Sequence, residues 1–179
     1  MKRFLVSWPV LLLAVFVAAC GKEKSINDDV SQYFVKCKIG GVDKTFKYQA
    51  MCFKTEVSIT GETSYSISGK ANDDPNNFEG VSVTILSKIP VATGTTYKET
   101  DPTDDYHVSA LYNPNTQNPD KMFFSREDDG NPLQVKFTEI TATTVSGTFS
   151  GKLYLLTSTD PNADSAVISN GQFKVKLQQ

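Results

Sequence analysis

From Tyr33 onward the apolar residues return at every second position, the period of a strand with one face buried, and this limits the chain to β-structure. Tyr33, Val35, Cys37 and Ile39 alternate with Phe34, Lys36 and Lys38. Gly40-Gly41 then signals a turn, and Phe46, Tyr48 and Ala50 form the expected inward set of the next strand. Val57-Ser-Ile59, a turn at Gly61 and Tyr65-Ser-Ile67-Ser-Gly69 predict a second hairpin. Val81-Ser-Val83-Thr-Ile85 and Leu133-Gln-Val135-Lys-Phe137 are short, clear strands. Val145 to Leu155 is the longest alternation, and Phe173-Lys-Val175-Lys-Leu177 is the last. No window of helical length keeps a 3.6-residue period.

Between these runs lie clusters of turn formers: Asn72 to Asn77, Asp101 to Asp105, Asn113 to Asp120, Glu127 to Pro132 and Asp160 to Asp164. The prolines at 75, 90, 102, 114, 119, 132 and 161 all fall in or beside them, as expected where a missing N–H would break a strand ladder. Many short strands punctuated by turns predict an all-β antiparallel β-sandwich. The alternative is a calycin-like β-barrel, because alternation alone does not reveal closure.

The first 32 residues have a different character. Lys2 and Arg3 precede an uncharged stretch from Phe4 to Ala19, the layout of a secretory signal. Its end, Val17-Ala18-Ala19-Cys20, resembles the lipobox of bacterial lipoproteins. That resemblance implies a signal peptide over 1–19, cleavage before Cys20, and palmitate-type acylation of the mature cysteine. The lipid would hold the protein to a membrane without spanning it. Gly21 occupies the position where an Asp retains such proteins at the inner membrane, so the resemblance implies the outer membrane of a Gram-negative bacterium. Lys22-Glu23 loosely resembles the export tag of surface lipoproteins, leaving both faces of that membrane open. Residues 20–32, rich in charge, are expected to be the lipidated cysteine and a polar tether, and 33–179 a single β domain.

Removing the first 19 of 179 residues leaves 160, the size of one domain. Lys2 and Arg3 go with the signal, so 16 basic residues remain against 20 acidic ones, a formal charge of −4. No basic footprint for nucleic acid and no polybasic grip for anionic lipid is present in that balance.

Further along, the chain is similar to small Bacteroidetes outer-membrane lipoproteins of an uncharacterised β-sandwich domain family. The likeness rests on the hairpin from Tyr33 to Phe46, the turn Gly94-Thr-Thr-Tyr97, the strand Val145-Ser-Gly-Thr-Phe-Ser150 and the strand Asn170-Gly-Gln-Phe-Lys-Val175. These motifs are structural. They imply a fold and an address, and no activity.

Chemistry is sparse. His107 is the sole histidine, with Ser109 two residues on and Asp104 and Asp105 nearby, the ingredients of a small hydrolase site. No Gly-x-Ser-x-Gly elbow accompanies them, and an exposed histidine explains the residue equally well. Zinc is not expected, since His107, Cys37 and Cys52 lack ligand spacing. Asp73-Asp74, Asp101 with Asp104-Asp105, Glu127-Asp128-Asp129 and Asp160 with Asp164 could chelate calcium, but Asp is favoured in turns regardless. No cofactor is called for. The best candidate ligand site is aromatic: Tyr106, Tyr112, Phe123 and Phe124 flank the polar loop Asn113 to Asp120, a mixture suited to a glycan or a small apolar ligand. The same residues would serve as core if they alternate on strands.

Cys37 and Cys52 mature where disulfides persist. If Gly40 to Asp43 form the turn, however, Ile39 faces Lys44 and Cys37 faces Phe46, leaving Cys52 six residues further along. That is roughly 20 Å of strand, against the about 5.5–6 Å between bridged Cα atoms. Free buried thiols are therefore slightly favoured over a Cys37–Cys52 bond. The sequence as a whole predicts a lipid-anchored envelope protein with a non-enzymatic binding or structural module. Its partners would be the membrane through its anchor, and a glycan, a small apolar ligand or another envelope protein. The rivals are a hydrolase using His107 and a calycin-like carrier.

Overall fold

The computed structural model describes residues 32–101, 103–126, 130–157 and 164–179; the signal sequence and residues 20–31 of the tether lie outside them. Among the described residues eleven strands make up one hydrogen-bonded sheet: β1 (Phe34–Ile39), β2 (Val42–Phe46), β3 (Tyr48–Val57), β4 (Glu62–Lys70), β5 (Gly80–Ser87), β6 (Thr96–Lys98), β7 (Tyr106–Asn113), β8 (Phe123–Ser125), β9 (Gln134–Ile140), β10 (Thr144–Leu155) and β11 (Ser165–Gln178). The fold is all-β, as the alternation requires.

Two long strands organise it. β10 and β11 pair antiparallel from Thr144↔Lys176 to Tyr154↔Ser165. The free edge of β11 takes β1 along Ile168 to Lys174 and then β3 along Lys176 to Gln178. The free edge of β10 likewise takes β9 along Val145 to Ser150 and then β8 along Leu153 to Leu155. One layer therefore reads β2-β1-β11-β10-β9-β6 and the other β3-β4-β5-β7-β8, joined at opposite ends of the β10–β11 hairpin. The circuit β3-β4-β5-β7-β8-β10-β11 closes through hydrogen bonds, so the fold combines two sandwich layers with barrel-like closure. The closing pair β11–β3 is parallel, a departure from the all-antiparallel expectation.

The turn at Gly40-Gly41 is tighter than a four-residue loop. Ile39 pairs with Val42, Cys37 with Lys44 and Val35 with Phe46, two residues away from the expected register. Both glycines have positive φ, +58° and +84°, as a two-residue hairpin turn demands. Tyr48 does not continue β2. The chain leaves the first layer at Lys47, and Gln49, at φ +50°, bends it onto the second. Gln49 thus does what no Gly or Pro signalled. Ile59, placed on a strand by its alternation, instead stands 97% exposed in the β3–β4 turn.

The core lies between the layers. Tyr65 from the smaller layer and Tyr97, Phe137 and Phe173 from the larger meet edge to face, with Phe137 at the centre: 5.7 Å to Tyr65, 6.4 Å to Tyr97 and 5.8 Å to Phe173. Such pairs add about 0.5–1.5 kcal/mol each beyond their burial. Val35, Ile67, Ile85, Leu133, Val135 and Leu153 fill around them. Room for the Phe173 ring is made by Gly147, where a Cβ would stand 2.4 Å from Phe173 Cζ and 2.3 Å from the Lys136 carbonyl oxygen.

Candidate functional site

The four aromatics singled out by sequence do not converge. Tyr112 and Phe123 are a cross-strand pair with stacked rings 6.1 Å apart, Tyr112 buried in the core. Tyr106 lies at the far end of β7, six residues or roughly 20 Å away, edge-on to Tyr97 at 4.9 Å and hydrogen-bonded to the Asp101 carboxylate. Phe124 points to the opposite face and is partly exposed. Strand alternation explains the split, since neighbouring residues 123 and 124 must face opposite ways.

Tyr112 belongs to a small polar network instead. Glu79, just before β5, accepts from Lys44 Nζ at 2.7 Å and from the Tyr112 hydroxyl at 3.1 Å. Burial, reinforced by the Glu79 charge, pushes the Tyr112 hydroxyl well above its ordinary range. The network ties the edge strand β2 to the second layer. Burial, with the Asp101 bond adding, likewise raises Tyr106 to about 12.

His107 is exposed on the outer face of β7, opposite Leu86, and Ser109 sits two residues along the same face opposite Thr84. Among the described residues no hydrogen bond joins His107 to Ser109 or to a carboxylate. No group of three or more His, Cys, Asp or Glu among the described residues could hold a metal ion. Asp74 Oδ1 accepts from the Asn76 backbone N–H at 2.9 Å, as turn residues do. Glu127 to Asp129 and Asp160 lie outside the described residues. Cys37 and Cys52 are both buried and free, one in each layer. Burial raises each thiol from 9.0 to about 12, with Lys44 partly offsetting it at Cys37.

The concave feature with convergent polar groups lies elsewhere, on the outer face of the larger layer. A groove of about 440 Å³ runs across β6, β9, β10 and β11. Register puts Thr96, Lys136, Thr148 and Gln172 in one row across the four strands, with Gln134 and Ser150 in the next. Neighbouring strands lie about 4.8 Å apart, so the row presents a hydrogen-bonding side chain at each such step. Gln134 Nε2 donates to Ser150 Oγ at 3.0 Å, fixing that pair. Bulges shape the groove. Ladder register shifts between Phe149 and Gly151 and between Lys36 and Lys38, both opposite Asn170, whose φ is +53°. The extra residue bends β11 and turns Asn170 outward beside Gln172.

No family model, curated protein or solved structure matches this chain. The groove must be read from its own chemistry. It offers three amides, three hydroxyls and a single ammonium, that of Lys136. Sequence reading passed over these residues because each is an ordinary outward position on a strand. The signal that could have found them is Asn170-Gly171 inside an alternating run, a pair of turn residues where a strand should have none.

Proposed function

We propose that the protein is a lipid-anchored envelope module of the Gram-negative outer membrane that binds a hydroxyl-rich ligand, a glycan chain, in the groove between Thr96 and Gln172. The observation that carries this reading is the row Thr96–Lys136–Thr148–Gln172 across four strands of a rigid sheet. Amides and hydroxyls can donate and accept, which matches the hydroxyls of a sugar. Lys136 adds a preference for a glycan bearing carboxylate or phosphate. The lining holds hydrogen-bonding groups and no acid–base pair, which suits retention of a ligand over its cleavage. The anchor reading is supported by Val17-Ala18-Ala19-Cys20 and by the lipoprotein-like strand motifs.

Two measurements test it. Cys20→Ala should release the protein from the membrane fraction and abolish labelling by a fatty-acid probe; continued labelling would end the lipobox reading. Neutral and acidic oligosaccharides should be titrated against the wild type, Lys136→Ala and Gln172→Ala. Binding that weakens about tenfold in each variant, the loss of a hydrogen bond or two, is expected. Binding unchanged in both variants, or no binding by any oligosaccharide, would refute the groove.

A further inference from the structure

The domain also carries a surface that the groove does not use. At the start of β3 and the end of β11 lies a pocket of about 290 Å³ lined by Tyr33, Tyr48, Met51, Lys47 and Lys176. Tyr48 is 40% exposed and Phe53, on the same outer face of β3 as Met51, 49% exposed. Lys70 Nζ stands 6.0 Å from the Tyr48 ring centroid. Exposed aromatic rings beside lysines, with an apolar hollow between them, form the combination favoured at a membrane–water boundary: rings settle at headgroup level and lysines extend to the phosphates.

We propose that this face rests on the phospholipid bilayer that holds the anchor. The inference builds on the lipid-anchor reading above, and where the chain enters the domain gives it direction. Tyr33 lines the pocket, so the 13 residues from Cys20 to Gln32 join the domain at this patch. A segment of that length reaches at most about 43 Å. The patch is therefore held close to the headgroups, and at that effective concentration a weak contact is enough to orient the domain. Of the carboxylates beside the patch, Glu79 is engaged, holding Lys44 and Tyr112. Asp73 and Asp74 are the exposed acids of the β4–β5 loop, and Asp74 accepts from the Asn76 backbone N–H. Along β11, Asn170 of the groove lies six residues from Lys176, roughly 20 Å. With the patch on the bilayer, the groove stands clear of the headgroups and open to a ligand.

The test exploits two features of the chain. Its single Trp, Trp8, precedes Cys20, so the mature protein has none and a new Trp reports alone. Cys37 and Cys52 are buried, so a maleimide phospholipid couples selectively at Cys20. The chain from Cys20 onward, coupled in this way to vesicles of phosphatidylcholine and phosphatidylglycerol, is anchored whether or not cells lipidate it. Loss of the lipidation reading would appear in the Cys20→Ala fractionation, and loss of the docking surface here. Tyr48→Trp, Phe53→Trp and Asp104→Trp each replace an exposed residue, the last at the opposite end of the smaller layer. With brominated lipid, Tyr48→Trp and Phe53→Trp should lose fluorescence and shift to the blue while Asp104→Trp stays unchanged. Unquenched emission at 48 and 53, or equal quenching at all three positions, would overturn the proposal.

Discussion

Gly147 is one of the two glycines, with Gly171, whose missing side chain the core packing requires most closely. Phe173 lies over it and the β9 backbone passes beside it, so Gly147→Ala must push apart either the ring or the β9–β10 ladder. Overpacking of this kind costs about 1–3 kcal/mol, and a denaturant melt of the variant should lose that much; a melt superimposable on wild type would mean the layers yield freely. The two core thiols make a second test at the same scale. With both Cys37 and Cys52 free and buried, iodoacetamide without reductant should leave them unmodified in the native mature domain and alkylate both once it unfolds. A pair that needs reductant even in denaturant would be a disulfide.

At the scale of the element, alternation made most strands readable, because each has a buried and an exposed face. Val81 to Ile85 and Val145 to Leu155 lie where the sequence put them. What the alternation concealed were the points where it bends. Gln49 and Asn170 take positive φ without being glycine, and neither leaves a trace in an apolar pattern. The first sends the chain from one layer to the other, which is why the register argument from Cys37 to Cys52 assumed a straight strand that does not exist. The second shapes the groove, so the apolar pattern hid the site for the same physical reason as the crossover, and only the turn pair Asn170-Gly171 inside a strand run marked it. The aromatic set from Tyr106 to Phe124 misled in the opposite way: large rings on strands are core far more readily than they are a site. Asn170 can be tested directly. A β-branched side chain resists positive φ at a cost of about 1–2 kcal/mol, so Asn170→Val should lower stability by about that amount and weaken ligand binding at the groove. Asn170→Gly should stay within about 1 kcal/mol of wild type. Equal stability for the Val and Gly variants would mean that β11 does not need its bulge.

For the whole molecule, the feature that sets its response to conditions is a set of four acidic hydrogens, three in the core and that of Tyr106 half-buried against it. Cys37 and Cys52 are raised from 9.0 to about 12, Tyr106 from 10.0 to about 12, and Tyr112 higher still. Burial is the first cause in each, and the negative neighbours Asp101 and Glu79 add to it at the tyrosines. The folded state keeps these protons at a pH where the unfolded chain has released them. Between about pH 9 and about pH 12 the unfolded state therefore binds fewer protons than the native one, and stability falls with rising pH. Well below pH 9 all four are protonated in both states and the contribution is constant. Urea midpoints should accordingly be level from about pH 7 to about pH 8.5 and decline above pH 9. The thiols begin that decline, because their unfolded values lie lowest, so Cys37→Ala with Cys52→Ala should delay its onset toward pH 10 even though the double variant is less stable at neutral pH. Midpoints that stay flat to about pH 11, or an onset unmoved by losing both thiols, would mean that these groups are reached by water in the native protein, and the closed, filled interior would have to be given up.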